Sequence, residues 1–304
     1  MDIDQIYDEL SLQIDKSRMI PDAPMKEHTS FRAGGNAALL IKPENAEELS
    51  YALKVLSKRG VEHMVMGNGS NVLVKDSGYR GVILKIGGPF QEISVTGDCL
   101  EAGAGVSLSA AAKAAQDASL TGFEFASGIP GTVGGAVFMN AGAYDGEISH
   151  ILESAELLSA DGSRVFTLKK DEMELSYRHS ILQRTGDVLL KAVFHLEKGD
   201  REKIDARIKE LTARRTEKQP LNYPSAGSFF KRPHGHFAGK LIQDAGLQGL
   251  TVGGAQVSTL HAGFIINTGG ATAANIIDLM EIVRSTVFEE SGVLLEPEVR
   301  IIGE

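Results

Sequence analysis

Gly67-Asn68-Gly69-Ser70-Asn71 is a glycine loop set between two apolar, strand-like runs. Upstream, Val61, Met64, Val65 and Met66 read as a short buried strand. Downstream, Val72-Leu73-Val74 is strand-prone and closes at the turn Asp76-Ser77-Gly78. This pattern predicts no helix after the loop. A Rossmann dinucleotide fingerprint needs a helix opening at its third glycine, and a P-loop needs Lys followed by Ser or Thr; both are missing. Two readings stay open: a nest of backbone N–H groups converging on an anion such as a pyrophosphate, or an ordinary tight turn.

A second glycine-dense segment runs Ser127-Gly128-Ile129-Pro130-Gly131-Thr132-Val133-Gly134-Gly135-Ala136-Val137-Phe138-Met139-Asn140-Ala141-Gly142-Ala143-Tyr144. A flexible linker would be Ser-rich and polar, whereas Val, Phe and Met are interleaved here. The composition fits backbone laid closely against a flat or bulky group, and equally a tight helix–sheet contact with glycine providing room.

The chain has 304 residues, enough for two or three compact units. Its formal net charge of -9 argues against general nucleic-acid binding, which needs a basic face. An anionic small molecule remains compatible, because exposed charges are screened beyond about 8 Å and only local groups decide what binds. The lone Cys99 excludes an intramolecular disulfide and fits a reducing compartment. The start Met1-Asp2-Ile3-Asp4-Gln5 lacks the basic residues and apolar run of a signal peptide, and no stretch approaches a membrane span, so the cytoplasm is expected.

Apolar spacing predicts a helix from about Ala46 to Arg59, with Leu49, Leu53 and Leu56 inward, Asn45 and Glu48 as a capping box and Gly60 as its stop. Ser107 is placed to cap an alanine-rich helix reaching about Ala118. Val188 to Phe194 reads as a strand, and Arg201 to Lys218 as a helix with Ile204, Ile208 and Leu211 inward, stopped by Pro220. A last helix from about Thr272 to Glu290 carries the stripe Ile276, Ile277, Met280, Val283 and Val287, read as core. The main boundary is expected near Gly199: residues 1–198 as one α+β module, itself divided near 85–100, and 199–304 as a second, smaller α+β unit.

Three weak signals carry possible chemistry. Ser228, in Ser225-Ala226-Gly227-Ser228-Phe229-Phe230, is not a hydrolase nucleophile, for Gly-x-Ser-x-Gly is absent; a turn serine is the plainer reading. In Val293-Leu294-Leu295-Glu296-Pro297-Glu298-Val299-Arg300-Ile301-Ile302, alternation sends Val293, Leu295, Val299 and Ile301 to one face and Leu294, Glu296, Glu298 and Arg300 to the other. That is either a charged site or a solvated edge with a weak ion pair. Arg178, in Tyr177-Arg178-His179-Ser180, can grip a carboxylate with two prongs, or lie on the surface. His179, His234, His236 and His261 have no metal-site spacing, so no metal is expected.

Taken together and in this order, the Gly67–Asn71 loop, the Gly128–Gly135 run and these three constellations resemble the UDP-N-acetylenolpyruvoylglucosamine reductases, flavoenzymes of peptidoglycan precursor synthesis, over nearly the whole chain. The resemblance implies an α+β fold: a two-part FAD-binding module of the vanillyl-alcohol-oxidase/PCMH type, followed by a smaller substrate-binding domain. It implies FAD held by Gly67, Asn68, Gly69, Ser70, Asn71, Gly128, Ile129, Pro130, Gly131, Thr132, Gly134, Gly135, Asn140 and Gly142. It implies NADPH as reductant and, as substrate, the enolpyruvyl ether of a UDP-sugar. Arg178, Ser228 and Glu298 fall where the family has its catalytic arginine, serine and glutamate, in a cleft between the two units. Lys231 and Arg232, next after Ser228, are placed near the substrate diphosphate or, equally, form a solvated basic pair.

This chain departs from the family pattern in three places. Asn68 stands where glycine is usual, and asparagine tolerates positive φ better than most residues. Gly263 stands where asparagine is common. The short span from Arg178 to Ser228 resembles the compact form of the family, without the inserted tyrosine-bearing loop. Two rivals remain: another flavin oxidoreductase acting on an alcohol or amine, and a flavin or nucleotide-sugar binding protein without turnover. Neither glycine segment holds a histidine of the kind that links flavin covalently in some such oxidases.

Overall fold

The computed structural model describes residues 3–304. It divides into two compact units, the first formed by 3–21, 39–68 and 81–215, the second by 22–38, 69–80 and 216–304. This is a different division from the expected 1–198 and 199–304.

The side chains explain why. The helix Arg201–Lys218 is bound along its first turns to the first unit: Arg201 Nη1 donates to Gln116 O (2.7 Å) and Gln116 Nε2 donates to Asp205 Oδ1 (2.7 Å). Further along, Tyr144 Oη donates to Leu211 O at 3.2 Å. In the second unit, Phe31, Ala33 and Leu73 share one apolar cluster with Phe229, Ile265, Ile276, Met280, Val283, Leu295 and Val299. Asp76 accepts from the N–H groups of Ala273 and Ala274 (2.8 Å each), so a residue far back in sequence caps the last helix. Burial and capping follow three-dimensional neighbours, and a boundary read from linear order misses both early segments.

In the first unit, His63–Met66 lies parallel to the end of Tyr79–Lys85, Met66 opposite Lys85. A five-stranded antiparallel sheet follows, in the order Val165–Lys169, Leu152–Leu158, Val188–His195, Cys99–Gly103, Ile93–Thr96. The helices Leu108–Asp117 and Val133–Met139 bury Leu108, Ala111, Ala112, Val133 and Val137 in the core with Leu100, Ala102 and Ala192 of that sheet. Alanine and glycine at the contacts let helix and sheet backbones come close.

The second unit has a three-stranded sheet, Thr251–Val252, Ala255–Val257 and Ile265–Asn267, with the helices Ala238–Asp244 and Ala273–Ser291. Val72–Val74 pairs in parallel with Arg300–Ile302. Among the described residues, no helix is long and apolar enough to cross a membrane.

Most local expectations hold. Asn45 Oδ1 accepts the Glu48 N–H (2.8 Å) at the start of Ala46–Lys58, and Leu49, Leu53 and Leu56 are fully buried. The capping box is not closed, however. The Glu48 carboxylate accepts from Glu44 N (2.8 Å) and from Arg18 instead of returning to Asn45, since a guanidinium is the stronger partner. The stripe on the last helix is core, as its spacing implied.

Candidate active site

The loop joins the strands His63–Met66 and Val72–Val74 with no helix after it. Gly67 packs on Thr132: a Cβ at 67 would stand 2.3 Å from Thr132 Oγ1, so the two glycine segments meet here and only glycine fits. The positive φ of the loop falls on Gly69 (65°), not on Asn68, so the tolerance of asparagine for that conformation is not used. A Cβ at 69 would lie 2.4 Å from His28 O. Beside the loop, burial first and the charge of Lys42 second hold the Lys85 ammonium below the ordinary lysine range.

Thr132 opens the helix Val133–Met139, its Oγ1 accepting the Gly135 N–H at 3.3 Å. Of the two readings of the glycine-dense segment, tight packing is realised at Gly134, where a Cβ would lie 3.1 Å from Ala104 O. Gly135 is different, for its nearest such neighbour is Thr132 Oγ1 at 3.8 Å, leaving room for a group laid against the backbone. Gly128 has no such room, since a Cβ there would press on Arg215 at 2.9 Å.

Asn140 ends that helix in the left-handed region (φ 44°) and is fully buried. Its side chain is wholly engaged by the protein. Nδ2 donates to Glu147 Oε1 (3.2 Å) and Ser176 O (3.0 Å), and Oδ1 accepts from Ser149 N (2.8 Å). The residue expected among the flavin contacts thus organises the turn that carries Arg178.

That turn is Ser176-Tyr177-Arg178-His179, closed by Ser176 N–H to His179 O (3.2 Å) and His179 N–H to Ser176 O (3.0 Å). Arg178 occupies its third position with φ 56°, a conformation usually given to glycine or asparagine. The surroundings hold it there. Gln183 Nε2 donates to Arg178 O and to Phe138 O, both at 3.0 Å, and Ser180 Oγ donates to Phe138 O at 2.7 Å. The guanidinium lies 5.0 Å from the Tyr177 ring centroid. Burial raises the Glu147 carboxyl, but hydrogen bonds from Ser149 and Asn140 and the charges of His150 and Arg178 outweigh it, leaving Glu147 below its ordinary range. Glu147 and Gln183 are parts of the site that sequence reading missed, since nothing in their local pattern separates them from surface polar residues.

In the second unit, backbone pairing lays the segment that follows Ser228 against the strand that carries Glu298. Glu298 N–H donates to Phe229 O (2.8 Å), Lys231 N–H donates to Glu296 O (2.8 Å), and Phe230 bridges Pro297. Asn71 clamps the same strand: its Nδ2 donates to Glu298 O at 3.1 Å, and its carbonyl accepts from Arg300 N at 3.0 Å. Leu295 and Val299 are buried while Glu296 is exposed and Glu298 half-buried, as the alternation predicted. Ser228 is exposed between Gly227 (φ 76°) and the buried Phe229.

Lys231 and Arg232 are both engaged. Lys231 Nζ is 3.3 Å from Glu296 Oε2, and the Arg232 guanidinium stacks 3.9 Å from the Phe237 ring centroid. At Gly263, a Cβ would stand 2.9 Å from the His261 ring, so the imidazole fills the space that the family's asparagine would need. Gly263 N–H donates to His261 Nδ1 (3.0 Å). Burial holds His261 below its ordinary value of 6.5, so it is neutral with its proton on Nε2.

Cys99 faces Asp98 (3.6 Å) and His195 (3.9 Å) on the surface. Its partial burial and the carboxylates of Glu153 and Asp98 raise the thiol above its usual range, and the ligand atoms of Asp98, Cys99 and His195 lie within 4.8 Å of one another.

The two-part α+β fold and its glycine-lined backbone define a FAD-binding flavoprotein, and a family model described as FAD binding domain matches residues 37–167. A second model, described as UDP-N-acetylenolpyruvoylglucosamine reductase, C-terminal domain, matches residues 219–302. A UDP-N-acetylenolpyruvoylglucosamine reductase from Clostridium botulinum is 53% identical over 93% of this chain and 92% of its own length. Another from Alkaliphilus oremlandii is 49% identical over the whole of both chains. The crystal structure of UDP-N-acetylenolpyruvylglucosamine reductase from Thermus caldophilus superposes with a TM-score of 0.81 at 34% identity, covering 94% of this chain and 98% of that one. The chain belongs to the UDP-N-acetylenolpyruvoylglucosamine reductase family, and it is a FAD-dependent oxidoreductase.

Proposed function

We propose that this chain reduces the enolpyruvyl ether of UDP-N-acetylglucosamine enolpyruvate to UDP-N-acetylmuramate, with NADPH as the reductant. The observation that carries the reading is the pairing of the Ser228–Lys231 segment with Glu296–Glu298, fixed by the 2.8 Å bond from Glu298 N–H to Phe229 O. The two paired segments carry Ser228 and Glu298, and the second is held from behind by buried Leu295 and Val299.

FAD, when bound, supplies the redox chemistry. The residues present fit that group: Gly135 leaves backbone open, and among the described residues a buried guanidinium nitrogen, Arg215 Nε, lacks a hydrogen-bond partner. Gly67, Asn68, Gly69, Ser70 and Asn71 hold it together with residues of 128–142. Arg178 binds the substrate carboxylate through its guanidinium and stabilises the charge that builds there, an effect worth ~3 kcal/mol for one well-placed donor. Ser228 Oγ donates the proton to the carbon beside that carboxylate. A carbanion-like centre is basic enough to take it from an ordinary hydroxyl at hydrogen-bond distance. Glu298 orients that hydroxyl and assists the transfer, and Lys231 and Arg232 attract the substrate diphosphate. A nucleotide-sugar substrate and NADPH make the cytoplasm the site of the reaction.

The test is to mix reduced enzyme with the enolpyruvyl sugar and follow flavin reoxidation in wild type and Ser228→Ala. Loss of a positioned acid slows the step by ~10²–10⁴. Equal rates would remove Ser228 from the mechanism, and a colourless purified protein would remove the flavin reading altogether.

A further inference from the structure

Cys99 and His195 stand 96 residues apart, so no spacing along the chain joins them. Strand pairing does. Cys99, at the start of Cys99–Gly103, lies directly opposite His195 at the end of Val188–His195, and Leu152–Leu158 flanks the latter strand on its other side. That second pairing slips between Leu152 and Ser154, so the irregularity falls at Glu153. The neighbours Leu100, Leu152 and Phe194 are buried in the core, which leaves Cys99, Glu153 and His195 on the outer face, with Asp98 joining them from the turn before its strand. Cys99 is half-buried and the other three are exposed, so an ion has a path in.

The donor atoms converge. Cys99 Sγ lies 3.6 Å from Asp98 Oδ1, 3.7 Å from Glu153 Oε2 and 3.9 Å from His195 Nδ1, and that same Nδ1 is 3.9 Å from Asp98 Oδ1. Bonds of ~2.0–2.3 Å in tetrahedral geometry set the ligand atoms of a zinc ion ~3.3–3.7 Å from one another, so these side chains reach that spacing by small rotations alone. The donor types then select the metal. A thiolate and an imidazole suit zinc and its tetrahedral relatives, whereas magnesium and calcium take oxygen ligands. Asp98 and Glu153 supply the negative charge that draws a dication, and on binding it Cys99 releases its thiol proton to solvent.

We propose that Asp98, Cys99, Glu153 and His195 form a zinc-binding site on the outer face of the five-stranded sheet. None of the four belongs to the glycine segments or to the residues given a part in the reaction, so the site does not depend on that reading. Its work is on the fold. One ion ties Leu152–Leu158, Val188–His195 and Cys99–Gly103 together by side chains, across three strands whose backbones are already paired.

The experiment titrates the FAD-loaded, tag-free protein with zinc against a chromogenic chelator, in wild type, Cys99→Ser and His195→Gln. Wild type is expected to take up one zinc per chain. Each variant should bind it at least ~10–100-fold more weakly, since even a group that only orients a metal ligand is worth that much. Flavin content and turnover should match wild type in both, because neither residue serves the reaction. Zinc should raise the melting temperature of wild type and leave that of the variants unmoved, as a ligand stabilises only the fold that binds it. Cobalt in place of zinc should give a thiolate-to-metal charge-transfer band that Cys99→Ser lacks. No uptake by wild type overturns the proposal, as does equal zinc affinity in wild type and either variant. An equal rise of melting temperature with calcium also overturns it, for the face would then be an unselective acidic patch. If Cys99→Ser does not fold, His195→Gln is read by the same criteria. Metal uptake is measured without turnover, so its failure and a failure of the Ser228→Ala test are told apart.

Discussion

The turn that carries Arg178 and the strand pair that carries Ser228 and Glu298 reach a fixed geometry by opposite means. Arg178 sits at φ 56° and is held by side chains, Asn140 on Ser176 O and Gln183 on its own carbonyl. Ser228 and Glu298 are set by backbone pairing, with one side-chain clamp from Asn71. A backbone ladder tolerates changes of side chain, because the bonding groups are common to all residues. A turn in a disfavoured conformation does not, because its cost of about 1–2 kcal/mol is offset by particular neighbours.

The sharpest way to separate the two is Arg178→Gly. Glycine accepts the left-handed conformation, so thermal stability is expected to hold or rise, while kcat falls by ~10²–10³ with the loss of the guanidinium. Parallel loss of melting temperature and kcat would mean that the guanidinium chiefly supports the fold. Next in size is Asn140→Ala, which deletes three hydrogen bonds from a fully buried amide and strands their partners. Urea unfolding is expected to show a loss of ~2–4 kcal/mol, and kcat should drop although the residue touches no substrate. Asn71→Ala removes one bond to the ladder and should cost only ~1 kcal/mol, the remaining backbone bonds keeping Glu298 in register. A loss as large as that of Asn140→Ala would show that the clamp, not the ladder, fixes the strand.

Acid sharpens the comparison further, with the smallest effects. His261 has a folded pKa below its ordinary 6.5, so the unfolded chain binds the proton more readily. Its contribution is complete above 6.5 and is lost as pH falls through the lowered folded value. Glu147 is likewise depressed below 4.5, so its contribution is present above 4.5 and lost only at lower pH. The unit holding His261 should therefore weaken at a higher pH than the Arg178 turn. Unfolding free energy followed from pH 7.5 down to well below 4 should lose its upper component in His261→Gln and its lower one in Glu147→Gln.

Much of the scaffold was legible in the sequence because periodicity and caps are local. The 3.6-residue spacing of Leu49, Leu53 and Leu56, the cap at Ser107 and the alternation around Glu298 each appear in a window of a few residues. The parts of the site that escaped are those whose meaning lies in distant partners. Glu147, Gln183 and the structural duty of Asn140 depend on segments up to 45 residues away, and the exceptional state of Arg215 is visible only against its paired neighbours Arg207 and Arg214. Gly263 showed the reverse case. The absence of a side chain was plain, but that His261 takes its space needed the fold.

The order of motifs along the chain determined by itself the family, the flavin and the two glycine segments, because these rest on residue type and spacing. Tertiary packing decided which segments form each unit, drawing 22–38 and 69–80 to the C-terminal part, and which polar groups are spent internally and which, such as Arg215 Nε, find no protein partner. The physical reason is the range of the forces: propensity and capping act within a turn or two, whereas burial and the pairing of charges are settled only when remote stretches of chain exclude water together.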